Sequence, residues 1–417
     1  MGLNETPRAN RFHVAILGRR NAGKSSLLNA VSGQNAAIVS PVPGTTTDPV
    51  YRAMELHGAG PVVFIDTPGI DDVGDLGGER VLRTLKVLRK TDAAILVIDG
   101  TVGYGEPEKR VMTELKDRRI PVITVVNKID VAQDGVLDEI YRECRGPIRV
   151  SASEQIGISA VVSAMADLVR KSASAADPPL IGDLLEPGDI VVLVVPVDIE
   201  APKGRLILPQ VQTIRDILDH DAVAVVSKTA QLAQTIGGLG RPPKLVVTDS
   251  QAFDEVSRIV PPEVPLTSFS ILYARYKGDL EELSRGIRAL KGLKPGDKVL
   301  IAEACTHHPV EDDIGKVKIP RWLEQKVGGN LEFGHVRGGD FPENLADYKV
   351  VVHCGACMLN RREMMSRIAV AESAGVPITN YGMTIAYVHG ILERALQPFR
   401  VHGAHGPDSP PRQGPTP

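Results

Sequence analysis

Eight residues near the start of the chain, Gly18-Arg19-Arg20-Asn21-Ala22-Gly23-Lys24-Ser25, have the spacing of a phosphate-binding loop. The residue types say what such a loop can do. Gly18 and Gly23 let the backbone bend so that several N–H groups, those of Ala22 and Ser26 among them, converge on one point. A helix beginning there adds its partial positive charge. Lys24 can reach β- and γ-phosphates, and Ser25 can ligate magnesium. The setting agrees. Phe12–Leu17 before the loop is apolar and strand-like, and Ser26–Val31 after it is apolar at helical spacing.

Further polar clusters follow apolar runs in a fixed order. Asp66-Thr67-Pro68-Gly69 follows Val62–Ile65. Asp66 takes the position that holds magnesium through water, and the Gly69 N–H can face a γ-phosphate. Between this cluster and the loop lies Gly44-Thr45-Thr46-Thr47-Asp48, where Thr45 or Thr46 would be ordered by magnesium and phosphate. Asn127-Lys128-Ile129-Asp130 follows Val122–Val126. The Asp130 carboxylate can accept two hydrogen bonds from a guanine edge, and adenine would leave it unpaired. Ser151-Ala152 would bring a backbone N–H to the guanine O6. The expected ligands are GTP or GDP with Mg2+, and the catalytic set is Lys24, Thr46, Asp66 and Gly69. Ile70 stands where Ras-like enzymes carry a water-orienting glutamine, so turnover should be slow. Asn21 before Ala22-Gly23-Lys24 resembles the TrmE–Era group of GTPases. In that group such an asparagine can help bind potassium; the alternative is that it braces the switch segment.

The second set of chemistry-bearing residues is sulfur. Of four cysteines, Cys354 and Cys357 form a C-x-x-C, Cys305 lies 49 positions earlier (354 − 305), and Cys144 falls elsewhere. Three thiolates at strand ends suit a soft metal or an iron–sulfur cluster. A structural zinc with a histidine ligand and a dithiol redox pair are the competing assignments. His307, His353 and Asp312 stand close in sequence, and a cluster of four irons would need a weaker fourth ligand, one of these or water, for which Cys305-Thr306-His307 makes His307 the first choice.

These residues need elements to hold them. Up to about Lys171 strand-like runs (12–17, 61–66, 93–98, 121–126, 147–151) alternate with helical patterns, which argues a parallel, helix-covered sheet. A Ser/Ala/Pro-rich linker over 172–188 marks a boundary. Strands at 190–197, 222–226, 244–248 and 265–269 make a second α/β region without a phosphate loop. A helical pattern runs from Ser270 to Leu290, followed by strands 298–302, 348–352 and 377–379 that lead into the cysteine groups. If these strands are parallel, both groups share one sheet edge. The predicted fold is α/β: a P-loop GTPase with a Ras-like parallel sheet, then two smaller Rossmann-like domains. The Pro/Gly-rich tail at 399–417 should be disordered. Net charge is −3 and 43% of residues are hydrophobic. That balance argues against nucleic-acid binding, and the absence of a long apolar run argues against a membrane span. Met1–Arg11 is polar, so a cytoplasmic location is expected.

Taken together, the Gly18–Ser25 loop, Cys305-Thr306-His307 and His353-Cys354-Gly355-Ala356-Cys357 resemble the HydF family, GTPase scaffolds of FeFe-hydrogenase maturation. The resemblance implies a GTPase domain (1–172), a dimerisation domain (185–265) and an iron–sulfur domain (266–398). It implies a homodimer and a 4Fe–4S cluster on Cys305, Cys354 and Cys357. It further implies that the radical-SAM maturases HydE and HydG supply a diiron precursor, which the scaffold hands to apo-hydrogenase. The rival is a TrmE/Era-like GTPase acting in RNA modification or ribosome assembly, with a structural metal site.

Overall fold

The computed structural model describes residues 6–42, 50–70, 86–144, 146–174, 178–196, 206–304, 313–339, 341–342 and 344–400. The chain divides into two compact units, Met1–Ala176 and Asp177–Pro417.

The first unit is built on strands β1 (Phe12–Gly18), β2 (Ala36–Val42), β3 (Val50–Leu56), β4 (Gly60–Asp66), β5 (Ala93–Asp99), β6 (Val122–Asn127) and β7 (Ile148–Arg149). Their order is β2-β3-β4-β1-β5-β6-β7. From β4 to β7 every pairing is parallel. The strands are apolar almost throughout because both faces are covered. Alternation along β1 shows it. Val14 and Ile16 join Val62, Phe64, Leu27 and Met165 in one buried cluster, while Ala15 and Leu17 join Val63, Ile65, Leu96 and Leu115 in another. Helices Lys24–Asn35 and Ile158–Ser174 thus lie on one face, and Glu106–Asp117 on the other.

The sheet is not wholly parallel. β2 and β3 pair antiparallel with each other, and β3 with β4. In Val50-Tyr51-Arg52-Ala53-Met54-Glu55-Leu56, Met54 and Leu56 enter one buried cluster while Tyr51 and Ala53 pack against the other, and Arg52 and Glu55 interrupt the apolar run, so no single period marks the strand in the sequence.

The second unit carries two four-stranded sheets, parallel throughout. One has the order β11-β10-β8-β9, with β8 Ile190–Val194, β9 Val223–Ser227, β10 Leu245–Thr248 and β11 Leu266–Ser268. The other has the order β13-β12-β14-β15, with β12 Lys298–Glu303, β13 Glu332–Arg337, β14 Val350–His353 and β15 Ile378–Asn380. One continuous buried cluster, including Val192, Phe253, Leu272, Ile287, Val351 and Ile385, runs through both. β11 pairs with β10, so Leu266–Ser268 belongs to the first sheet although it lies beyond position 265.

Two local differences from the sequence reading have simple causes. The helical pattern after Ser270 is two helices, Phe269–Lys277 and Leu280–Lys291. Gly278 interrupts it, and the Asp279 side chain restarts it by accepting the Glu282 N–H. β13 was not foreseen: Glu332-Phe333-Gly334-His335-Val336-Arg337 is an edge strand too polar to stand out.

Candidate functional site

In the first unit the phosphate-loop motif joins β1 to helix Lys24–Asn35. Its glycines are required by geometry. Gly18 has φ +152° and a Cβ there would sit 2.4 Å from the Val97 carbonyl oxygen. Gly23 has φ +88° and its Cβ would lie 2.2 Å from Asn127 Nδ2. Asn21 adopts φ 62°, a left-handed conformation that asparagine tolerates. Lys24 Nζ donates to the carbonyls of Gly18 (2.9 Å) and Arg19 (2.8 Å). Ser25 Oγ donates to Asp66 Oδ2 at 2.8 Å, so the hydroxyl and the carboxylate singled out for magnesium stand together.

Asn127 joins three motifs. It is 2% exposed. Its Nδ2 donates to Ala22 O and its Oδ1 accepts the Ala152 N–H, both at 3.0 Å. A carbonyl can only accept and a peptide N–H can only donate, so the amide orientation is fixed. Lys128 (φ 64°) donates to Asp99 Oδ2 at 2.6 Å. Burial pushes the Asp99 carboxyl up, but Lys128 and two bonds from Thr101 outweigh it and leave it below the usual range. Ser151 Oγ accepts the Glu154 N–H, and Asp130 is exposed. Ile70 donates its N–H to Gly18 O at 3.3 Å, closing the segment after Gly69 onto the loop. Thr45 and Thr46 lie outside the described residues.

Sequence reasoning missed two members of this site. Asp99 ends β5 on the edge where ligands bind in such sheets, and that position was the available signal. The other is the Arg19–Glu108 pair, bonded at 2.6 and 2.7 Å, for which no local pattern speaks.

In the second unit β12 and β14 are adjacent and parallel, with Ala302 opposite His353. β12 also pairs with β13, so chain order reverses across β12 and β14, the crevice where open α/β sheets place ligands. Cys354 follows β14 there. Its N–H donates to Ala302 O at 2.8 Å, and its Sγ accepts the Ala304 N–H at 3.1 Å. Burial of the sulfur pushes the thiol up to about 11, against the pull of N–H groups from Ala304 and Ala356. Backbone donors on sulfur are what a metal-bound thiolate uses. Ala356, φ 55°, turns the Cys354–Cys357 segment through the left-handed region. Cys357 is partly buried. Helix Arg361–Ser373 starts four residues after Cys357, and the Asn360 side chain takes one of its first N–H groups, that of Glu363. Cys305, His307 and Asp312 lie outside the described residues. Among the described residues no group of three or more metal-ligating side chains converges. Cys144 is buried in the first unit, remote in sequence from these groups, and its thiol is raised to about 11 by burial and by Glu143 and Glu108.

His353 is fully buried, with Nδ1 2.8 Å from Cys354 O and Nε2 3.0 Å from Arg367 Nη1. Burial and the Arg367 charge depress it to about 3. At the same edge Tyr381 Oη donates to Glu303 Oε1 (3.3 Å), and Arg337 bridges Glu303 (3.0 Å) and Asp313 (3.9 Å).

Sequence comparison matches residues 180–278 to the hydrogen maturase F dimerization domain and 281–398 to the hydrogen maturase F tetramerization domain. The chain belongs to the hydrogen maturase F family. In this maturase F chain residues 13–128 match a 50S ribosome-binding GTPase domain. The tRNA modification GTPase MnmE of Acetivibrio thermocellus is 36% identical over 158 residues, 37% of this chain and 34% of that protein. GTPase Der of Chloroflexus aurantiacus is 41% identical over 126 residues, 29% of this chain and 28% of that protein. The chain therefore spans only 28–34% of the length of these relatives. Among solved structures the G domain of the T. maritima FeoB iron transporter is 23% identical, covering 38% of this chain and 99% of that one, with a TM-score of 0.30. No described helix is long and apolar enough to cross a membrane.

Proposed function

We propose that this chain is a GTP-binding and GTP-hydrolysing scaffold of FeFe-hydrogenase assembly, which holds a 4Fe–4S cluster and passes a diiron precursor to apo-hydrogenase. The observation that carries the proposal is the Cys354 sulfur, held by the Ala304 N–H at the sheet's switch point, on a chain that also carries a phosphate loop. In the first unit Gly18, Asn21, Ala22, Gly23, Lys24, Ser25 and Ser26 would cradle the phosphates. Ser25 with Asp66, and Thr46, would hold magnesium. Asn127, Lys128, Asp130, Ser151 and Ala152 would select guanine. Hydrolysis is slow because Ile70 offers no polar group to orient water.

In the second unit Cys305, Cys354 and Cys357 would hold the cluster, with His307 as fourth ligand. A cluster bound by three thiolates supplies one iron that can exchange its outer ligand. The hydrogen bond on Cys354 fits that use better than a redox pair, which would leave Cys305 without a role. A homodimer fits the exposed edge of β9, where Val223 and Val226 are 47% and 48% exposed. HydE and HydG as suppliers of the precursor follow from the family. The RNA-directed alternative rests on the GTPase-domain match over residues 13–128 and on MnmE and Der, aligned over 37% and 29% of this chain. The test is iron and acid-labile sulfide after anaerobic reconstitution of the full chain. About four of each per chain is expected; a single zinc, or no metal, overturns the proposal.

A further inference from the structure

His353 stands next to Cys354 in sequence, where it could be a metal ligand or a support. The hydrogen bonds decide between them. Arg367 Nη1 lies 3.0 Å from His353 Nε2. A guanidinium has no lone pair to offer, so it must be the donor and Nε2 the acceptor. The proton of the neutral ring is then on Nδ1, which donates to Cys354 O at 2.8 Å. Both ring nitrogens are spent.

Arg367 is itself fixed. It is 4% exposed. Nη2 donates to Gly338 O (2.5 Å) and to Glu363 Oε1 (3.1 Å), and the guanidinium carbon lies 5.3 Å from the Phe341 ring centroid. It projects from helix Arg361–Ser373, which follows the cysteine pair, so the segment supplies its own prop. For Nε2 to reach a metal, this buried cation would have to surrender an acceptor.

We propose that His353 is a positioning residue for the cysteine pair: its Nδ1–H holds the Cys354 carbonyl, and Arg367 locks the tautomer that does so. This rests on the cysteines being a metal-holding set. With the Cys354 peptide fixed, the C-x-x-C turn presents its sulfur to the Ala304 N–H.

The test uses the full chain with 15N-labelled histidine. In metal-free protein at pH 7, ring-nitrogen NMR reads the tautomer, His353 being assigned by the resonance missing in His353→Asn. The Nδ1–H form is expected, and the Nε2–H form overturns the proposal. After anaerobic reconstitution, imidazole-nitrogen coupling to the reduced cluster should be the same in wild type and His353→Asn; loss of a coupling would make His353 a ligand. Iron release to a chelator supplies the third readout. Asparagine places its amide N–H where Nδ1 lay, whereas glutamine places its amide where Nε2 lay. Release should be about 10-fold faster in His353→Gln, the size expected for losing an outer-shell partner, and much closer to wild type in His353→Asn. Equal acceleration in both overturns the proposal. Wild-type protein that takes up neither iron nor sulfide would defeat the cluster assignment instead, and the tautomer result would still decide how His353 is held.

Discussion

Glu108 is fully buried and receives Arg19 through two parallel hydrogen bonds, Nε to Oε1 at 2.6 Å and Nη2 to Oε2 at 2.7 Å. Arg19 lies inside the phosphate loop, and its own carbonyl accepts from Lys24 Nζ. The pair therefore ties helix Glu106–Asp117 to the lysine that would meet the nucleotide. Arg19→Ala strands a buried carboxylate and should cost about 3–5 kcal/mol of stability. The double change Arg19→Met with Glu108→Leu should return most of that stability, but not nucleotide affinity, because the loop carbonyl is no longer held. Thermal unfolding and fluorescent-GDP titration read the two effects apart. Full affinity in the double variant would show that the pair is only structural.

Gly23→Ala should abolish tight nucleotide binding. The new Cβ meets Asn127 Nδ2 at 2.2 Å and the backbone has φ +88°. Left-handed backbone alone costs an L-residue about 1–2 kcal/mol. Displacing Asn127 also releases Ala22 and Ala152, the two groups it joins. Titration with GDP checks this, and wild-type affinity would mean that the loop yields freely.

Guanine selection is assigned to Asp130. Asp130→Asn should lower GTP affinity more than about tenfold, or 1.4 kcal/mol, and raise affinity for xanthosine triphosphate, whose added oxygen accepts from the new amide. A variant with unchanged discrimination between GTP, ATP and the xanthosine nucleotide would place base recognition elsewhere.

Potassium should accelerate GTP hydrolysis relative to sodium, and Asn21→Ala should remove the difference. A cation held by Asn21 would stand where an arginine finger acts, and such fingers are worth about 10³–10⁵ in rate. Equal rates in the two salts would end the idea.

The Cys354 thiol should be slow to alkylate in metal-free protein. A rise from 9.0 to about 11 leaves about 100-fold less thiolate at neutral pH than in an unperturbed cysteine, and only the thiolate attacks. Its rate should climb with pH up to about 11 and then level off. Reaction at the rate of a free cysteine peptide at pH 8 would contradict the burial and hydrogen bonding described. With iron bound, Cys354→Ser should reduce iron retention and leave GTP hydrolysis unchanged.

What the sequence determined by itself is the set of motifs and the strands that end in them. Gly18–Ser25, Asp66–Gly69, Asn127–Asp130 and the cysteine groups are contiguous, and their flanking apolar runs are long and periodic, so local chemistry and strand ends were legible together. The strands β3 and β13 were not: β13 is a half-polar edge strand that needs little apolar surface of its own, and β3, interior between β2 and β4, carries its apolar residues without a clean period. Only the tertiary structure decided which partners meet across 89 positions at Arg19–Glu108 and 105 at Ala22–Asn127. It also decided what His353 does. Sequence adjacency to Cys354 says only that the histidine is near a candidate metal ligand. Whether its lone pair is free depends on Arg367, 14 residues away and brought under β14 by the packing of a helix. Hydrogen-bond donors and acceptors are shared out in three dimensions, and burial makes each assignment binding, because a buried group that loses its partner finds no water to replace it.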